Sequence, residues 1–303
     1  MKANTRVTTM DCLCNEAFEL ITKMADRPDG LIAGAVPTGF SDLDATAGGM
    51  LPGELVVVAS RPGVGKTSFS MNVAVNAAKS GARVVVFSAE SDFETTALKL
   101  VASEARIPLD KLAKGDLSEL DWGALQDCGN RLSKLDVVFS SAPSATLDEV
   151  REIVEDALDD SRDKRLVVAD GLDIFLADKP VADSASRQVD VSRLFKAIAR
   201  RYEASVLLTR EFPGNPKQPK DGLPGVEPAS ILGALGVAAQ VADAVIFLDR
   251  SLGAREEELS WRPPYGLAEV NLVKHRRAPI RSIKLAFVPE FRRFMNYAED
   301  DCW

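Results

Sequence analysis

Short apolar runs alternate along the chain with stretches in which apolar residues recur every three or four positions. The apolar runs predict strands at 55–59, 83–88, 136–139, 166–170, 205–209 and 244–248. The periodic stretches predict helices at 66–80, 92–105 and 147–160. Apolar strands that alternate with helices are typical of a parallel sheet covered on both faces. The pattern therefore predicts an α/β fold, and segments 267–273 and 282–287 add strands, expected to be antiparallel, at its C-terminal end.

Residues 8–25 predict an amphipathic helix, since apolar side chains recur at helical spacing from Met10 to Met24. A lone helix of this length is marginal in water, so it has to pack either on the core of its own chain or on a neighbouring subunit. The apolar face alone does not decide between the two. We divide the chain into an N-terminal arm with this helix at 1–34 and one α/β domain at 35–303.

Two polar stretches, 176–189 and 212–228, are predicted to be long loops. Long irregular loops within a compact domain are usually functional or mobile. A plain disordered connection is the other interpretation of each.

The composition is that of an ordinary soluble protein, with 303 residues, 46% of them hydrophobic and 27% charged. No apolar run approaches the ~20 residues of a membrane span, and the N-terminus lacks a signal-peptide pattern. We therefore expect a cytoplasmic protein with no membrane contact. Cys12 and Cys14 have no second Cys/His pair nearby, so the thiols are expected to be reduced and not bound to zinc.

The net charge of -8 does not favour nucleic-acid binding, which usually shows as a basic patch. It does not exclude such binding either, because an assembly can be acidic outside and basic along an inner channel.

The motif that says most about function follows the first predicted strand of the domain. Glycines and a Gly-Lys-Thr sequence stand between this strand and a helical pattern, which is typical of a phosphate-binding loop. Loop amides at a helix N-terminus hold phosphate oxygens, Lys66 adds a charge for the β/γ-phosphates, and the Thr67 hydroxyl suits Mg²⁺. Ser60 stands where the usual pattern has glycine, and a chance match is the alternative. The predicted ATP-binding residues of this loop are Arg61, Pro62, Gly63, Val64, Gly65, Lys66, Thr67 and Ser68.

Two acids end predicted strands near this loop. Asp170 ends an apolar strand, where it can orient Mg²⁺ directly or through water. Glu90 follows another strand and can orient the attacking water; a cap of the next helix is the alternative role.

Lys274 and Arg276 stand two positions apart at the end of a predicted strand. At period two they share one face, where two cations can meet a phosphate. A solvated basic turn is the alternative. His275 would point to the other face, so we expect a packed or surface residue there and not a catalyst.

Together these residues resemble the helicase domain of DnaB-type replicative helicases, a RecA-like ATPase fold. The resemblance covers most of the chain and is carried, in order, by Val36-Pro37-Thr38-Gly39-Phe40, Pro52-Gly53-Glu54-Leu55, Arg61-Pro62 through Phe69, Phe87-Ser88-Ala89-Glu90, Lys274-x-Arg276, and Leu285-Ala286-Phe287-x-Pro289-Glu290 with Arg293-Phe294.

The resemblance implies a ring, usually of six subunits, with ATP and Mg²⁺ between subunits and single-stranded DNA through the centre. It implies that Glu90 activates water and that a neighbour's Lys274 and Arg276 are inserted into the ATP site. The helix at 8–25 matches a linker helix that docks on an adjacent subunit. A helicase loader is a possible partner, whereas primase coupling is in doubt because the N-terminal domain of full-length members is not in this sequence.

Three positions depart from the family pattern. Asp173 and Arg210 each stand where members usually have glutamine, and Arg210 is predicted to bind the γ-phosphate by direct charge. Members have Arg-Glu-Ser-Gly in a DNA-facing loop, where this chain has uncharged residues at 233–236. Phosphate contacts dominate affinity for nucleic acids, so DNA binding is expected to be weaker or to use other cations. The candidate DNA-binding residues are Arg187, Arg193, Lys217, Lys220, Gly233, Ala234, Leu235 and Gly236.

The leading hypothesis is therefore an ATP-dependent helicase or translocase on single-stranded DNA. The alternative is a diverged, non-unwinding ATP-binding relative with a regulatory or accessory role. A RecA-like ATPase of the recombination or clock type is disfavoured by Lys274-x-Arg276 and by Pro37-Thr38-Gly39-Phe40.

Overall fold

A computed structural model of the protein describes residues 9–25, 30–88, 92–140, 146–158, 163–171, 184–217, 226–250 and 266–297. Its strands are β1 (Leu55–Ser60), β2 (Arg83–Ser88), β3 (Val137–Ser140), β4 (Arg165–Asp170), β5 (Ser205–Glu211), β6 (Ala244–Asp249), β7 (Gly266–His275), β8 (Arg281–Val288) and β9 (Arg293–Asn296). Its helices are α1 (Met10–Ala25), α2 (Ser41–Ala47), α3 (Lys66–Lys79), α4 (Phe93–Ala105), α5 (Leu109–Lys114), α6 (Glu119–Leu132), α7 (Leu147–Ala157), α8 (Ser184–Arg201), α9 (Pro228–Leu235) and α10 (Val237–Val241).

The strands form one sheet in the order β3-β2-β4-β5-β1-β6-β7-β8-β9. Strands β1 to β6 pair in parallel, and β7, β8 and β9 are added antiparallel beyond β6. The predicted mostly parallel sheet with antiparallel strands at its C-terminal end is confirmed.

The hydrophobic core lies on both faces of this sheet. Along β1, Leu55 and Val57 pack into one buried cluster with residues of α7, α8 and α9, whereas Val56 and Val58 pack into another with α2, α3 and β8. Strict alternation in a fully buried strand means that both faces are covered. Polar side chains can then meet only at the strand ends, and all the parallel strands end at the same edge.

Helix α1 has the predicted amphipathic pattern but does not bury it within this chain. Met10, Leu13, Phe18 and Ile21 are between 51% and 74% exposed. These four side chains therefore do not pack on the core of their own chain. Docking of α1 on a neighbouring subunit stays a prediction. None of the described helices combines the length and apolarity that a bilayer crossing requires.

The predicted loop at 176–189 is wrong from residue 184 onward, because helix α8 begins there. Residues 172–183 lie outside the described part of the chain. In the second predicted loop, residues 212–217 follow the end of β5 and residues 226–227 precede α9, and neither segment is helical. Helix α9 begins at Pro228, the last residue of that predicted loop. Helices α2, α5, α6, α8, α9 and α10 were not predicted.

Candidate functional site

The loop between β1 and α3 has the geometry of an anion-binding turn. Gly63 and Gly65 have φ angles of +75° and +113°, which residues other than glycine rarely adopt. A Cβ atom at Gly65 would also lie 3.3 Å from the Phe294 ring. Since α3 begins at Lys66, its first turn presents amide groups that have no acceptor within the helix. Such a turn suits phosphate oxygens.

Ser60, which departs from the usual glycine, is accommodated inside the loop. Its hydroxyl donates to the carbonyl oxygen of Arg61 at 2.8 Å, and the residue is fully buried. The serine thus satisfies its own polar group and leaves the turn intact.

Asp170 lies against the start of α3. Its Oδ1 atom accepts from Thr209 Oγ1 at 2.8 Å and from Ser70 Oγ at 3.4 Å, and the Thr67 hydroxyl also bonds to the carboxylate. Its Oδ2 atom is buried and has no hydrogen-bond partner among the described atoms. A buried acceptor in this state fits a water ligand of Mg²⁺, an ion that usually keeps several of its waters.

The pKa of Asp170 is raised because burial disfavours the charged form of the carboxyl group. Hydrogen bonds from Thr209 and Thr67, and the charge of Lys66, act in the opposite direction. Lys66 is only 6% exposed, so its ammonium group and the carboxylate share a buried environment. A divalent cation here would favour the ionised carboxylate further.

Two residues that the sequence prediction missed hold the phosphate loop from the end of β6. Asp249 Oδ1 accepts from Arg61 Nη2 at 3.1 Å and from the backbone N of Arg250 at 2.8 Å. Arg250 Nη1 donates to the carbonyl oxygen of Val64 at 3.1 Å, and its guanidinium lies 4.2 Å from the Phe287 ring centroid. In the sequence, the adjacent charged residues Asp249 and Arg250 at the end of a predicted strand were the signal that could have indicated this role. Arg61 therefore supports the loop from within this chain.

Arg210 is buried between β5 and two helices. Its Nη1 atom donates to the carbonyl oxygen of Leu235 in α9, and Nη2 donates to Gln188 Oε1 in α8 at 2.8 Å. Thr209, its neighbour on β5, points instead to Asp170. The predicted contact of Arg210 with a phosphate stays a prediction.

Lys274 and Arg276 lie at the opposite edge of the sheet from the phosphate loop. His275, between them, pairs with Ala244 at the start of β6, whereas Asp249 at the end of β6 lies beside the loop. Five strand residues at about 3.3 Å each separate the two edges by about 17 Å. These two cations therefore cannot reach the phosphate loop of their own chain.

Both cations have partners within the chain. Lys274 Nζ donates to the carbonyl oxygens of Ala239 and Ala242, each at 2.7 Å, at the C-terminal end of α10. Burial, and to a lesser extent Arg276, lower the pKa of Lys274. Arg276 Nε lies 3.0 Å from Asp243 Oδ1. The lysine thus caps a helix end, as cations often do.

Several predicted site residues lie outside the described part of the chain, wholly or in their side chains: Glu90, Asp173, Arg187 and Lys220. The strand that leads toward Glu90 is described, and it pairs Ser88 with Asp170. The predicted role of Glu90 as the water-activating residue stays a prediction.

Residues 233–235 form the last turn of α9, not the predicted loop, and Gly236 joins α9 to α10. Gly236 has φ +53° and ψ -122°, a conformation that glycine tolerates. Leu235 is buried, whereas Gly233 and Ala234 are exposed. Arg193 and Lys217 are also exposed. Contact of any of these residues with DNA stays a prediction.

The sequence of the chain is similar to one protein family and to individual members of it. The sequence model of the DnaB-like helicase C-terminal domain matches residues 35–296. The replicative DNA helicase DnaB of Leifsonia xyli subsp. xyli is 30% identical over 271 residues, which are 89% of this chain and 57% of that protein. The replicative DNA helicase DnaB of Geobacillus stearothermophilus is 29% identical over 276 residues, 90% of this chain and 59% of that protein. The chain thus spans less than two thirds of the length of these relatives.

Two solved structures resemble the chain in fold. One, of an ATPase domain, has a TM-score of 0.81 at 24% identity, and the match covers 97% of this chain and 100% of that one. The other, of a DnaB-like replicative helicase studied with its interactions with primase, has a TM-score of 0.79 at 23% identity and covers 97% of this chain and 68% of that one. The predicted architecture, a RecA-like, mostly parallel sheet with C-terminal antiparallel strands, is confirmed.

Proposed function

The chain belongs to the DnaB-like helicase C-terminal domain family, and from this premise we propose that it is the ATP-driven motor domain of a DNA helicase. In this proposal it moves along single-stranded DNA as a ring of subunits, most simply six, and hydrolyses ATP at the interfaces between them.

The observation that carries the proposal is the separation of two sets of charged residues. The phosphate loop and Asp170 occupy one edge of the sheet, and Lys274 and Arg276 occupy the opposite edge. A cation that assists phosphoryl transfer has to touch the transferred group. A second subunit, packed with its β7–β8 turn against the first subunit's loop, brings the two sets together.

Each described residue then has a role. Lys66, Thr67 and the loop amides bind the phosphates, and the buried Oδ2 atom of Asp170 accepts from a water of Mg²⁺. The bound Mg²⁺ neutralises phosphate charge. Glu90 orients the attacking water, a role that rests on the family resemblance. The exposed apolar face of α1 docks on the neighbouring subunit.

The test measures assembly and turnover on the same protein. With a non-hydrolysable ATP analogue and labelled single-stranded DNA, we expect a DNA-bound species several times the subunit mass of 32.7 kDa. With ATP, we expect single-stranded DNA to stimulate phosphate release. A chain that stays monomeric while it turns over ATP at the usual rate for its relatives would contradict the shared site.

The second candidate, an ATP-binding accessory relative that does not unwind DNA, is favoured by one observation. The 233–236 segment is uncharged, Leu235 is buried, and the Leu235 carbonyl is occupied by Arg210. The same assay separates the two. Assembly without DNA stimulation of phosphate release supports the accessory role.

The proposed metal site predicts the effect of Asp170→Asn. Asparagine keeps the size and the acceptor for Thr209 but loses the charge that favours a hydrated cation. We expect the Mg²⁺ concentration at half-maximal ATP turnover to rise about 10- to 100-fold, as for other residues that act through a metal-bound water. Phosphate release titrated with MgCl₂ measures it. Asp148→Asn, at an exposed acid on α7 paired with Arg151, is the matched control, and an unchanged Mg²⁺ dependence of Asp170→Asn would contradict the assignment.

A further inference from the structure

The turn between β7 and β8 carries Arg276 and is organised around one side chain, His275. The Nδ1 atom of His275 accepts hydrogen bonds from the backbone N of Arg277 at 3.1 Å and of Ala278 at 2.8 Å. A ring nitrogen that accepts hydrogen bonds carries no proton, so the neutral ring has its proton on Nε2. The imidazole thus fixes the path of the backbone immediately after Arg276.

The turn also concentrates positive charge. Arg276 and Arg277 are adjacent, and Arg281 begins β8. Two ion pairs offset this repulsion, one from Arg276 to Asp243 and one from Arg277 to Glu54. Both pairs anchor side chains, whereas the imidazole anchors the backbone of the turn.

The surroundings of His275 keep its ring neutral. Its pKa is lowered, first because the ring is partly buried and then by the charge of Arg277, while Glu54 and Asp243 act in the opposite direction. Its two sequence neighbours are both cations. Because the folded-state pKa lies below the unfolded value of about 6.5, the stabilisation is complete above about pH 6.5 and is lost as the pH falls through the folded pKa.

We propose that His275 is a positioning residue that holds Arg276 in the orientation required to reach the phosphates bound by a neighbouring subunit. The inference rests on the proposed function, since it presupposes a site shared between two subunits. His275 itself lies at the sheet edge opposite its own phosphate loop, so it acts only through the turn. A displacement of about 1 Å at a distant position can cost about 10²-fold in rate.

A matched pair of variants tests the role. Asparagine places its Oδ1 atom where histidine has Nδ1 and does not titrate, whereas leucine has nearly the same shape as asparagine but no acceptor. We expect His275→Asn to keep kcat close to that of the wild type at pH 7.5 and His275→Leu to lose about 10- to 100-fold. The KM for ATP should stay unchanged in both, because the phosphate loop of the same subunit is untouched.

The pH dependence gives an independent readout, because His275 is the only histidine of the chain. As the pH falls below 6.5 and through the lowered folded-state pKa of His275, kcat of the wild type should fall relative to that of His275→Asn. The titration of the substrate is common to both proteins and cancels in the ratio. Identical pH profiles of these two proteins, or equal kcat of the asparagine and leucine variants, would overturn the inference.

Mixed assemblies distinguish positioning from a general structural role. A Lys66→Ala subunit has an unaltered turn but a disabled phosphate loop, so it should restore turnover at the intact loop of an adjacent His275→Leu subunit. A mixture of Arg276→Ala and Lys66→Ala calibrates the assay. Recovery with Arg276→Ala but not with His275→Leu overturns the inference and leaves the shared site standing. If neither mixture recovers, the shared-site proposal falls and the inference falls with it.

Discussion

Lys66→Ala is expected to abolish ATP turnover, with a loss of at least about 10³-fold in phosphate release, because the change removes the principal positive charge on the bound phosphates. Lys66 is 6% exposed at the start of α3, and its charge also favours the ionised form of Asp170. Alanine therefore removes the contact between Lys66 and the phosphates. It also removes a positive charge that favours the ionised form of the buried Asp170 carboxylate, so nucleotide affinity should fall as well. Phosphate release at saturating ATP and Mg²⁺ measures the first effect, and titration with a fluorescent ATP analogue measures the second.

Lys79→Ala is the matched control for this change. Lys79 ends the same helix and pairs with Glu104 at 2.6 Å, but it lies far from the loop and is partly exposed. It should leave turnover near that of the wild type, and comparison of the two melting curves excludes unfolding as the cause. Turnover by Lys66→Ala within tenfold of the control would refute the assignment of this loop as the nucleotide site.

The phosphate loop could be predicted from the sequence because all of its determinants are local. An apolar strand, two glycines with positive φ and the Lys-Thr pair stand within a few residues of one another. The same holds for the added strands β7 and β8, whose alternating apolar positions are visible along the chain. Asp170 was placed by the general rule that parallel strands end at one edge of a sheet.

Helix α8 was not predicted, because the polar composition of the segment that begins it was given more weight than the helical spacing of its apolar residues. Val191, Leu194, Phe195 and Ile198 recur at helical spacing and all lie in the buried core. The polar stretch before them dominated the interpretation, so the start of the helix was assigned to a loop. Helix α6 had a usable local signal, since Ser118 and Asp121 form a capping box at its start.

Other features of the site depend on contacts that no local pattern contains. Lys274 caps α10 through carbonyl groups more than 30 residues earlier in the chain, and Arg250 reaches Val64 from 186 residues away. The ordering of the sheet creates these neighbours. The sequence can indicate that a lysine or arginine is a candidate site residue, but only the folded structure shows which groups of the chain bind its side chain.

Arg276→Ala is the second change expected to have a large effect. Its side chain is 58% exposed and forms an ion pair with Asp243, at the edge of the sheet that faces away from its own loop. In the shared site its guanidinium stabilises the transferring phosphoryl group of the neighbour, and such arginines contribute about 10³- to 10⁵-fold. We expect kcat to fall by about 10³-fold or more while nucleotide affinity changes little, since ground-state binding is left to the phosphate loop.

Stability should change little, because the Arg276 end of the ion pair is exposed and the buried Asp243 keeps its contacts with Lys196 and the backbone of Leu55. Arg281→Ala, an exposed arginine on the same hairpin, is the matched control and should be near wild type. In mixtures with Lys66→Ala, turnover should return, because each protein supplies the half of the site that the other lacks. If Arg276→Ala hydrolyses ATP as fast as Arg281→Ala, the turn does not enter a neighbouring site, and what remains is a nucleotide-binding domain whose catalytic cation lies elsewhere.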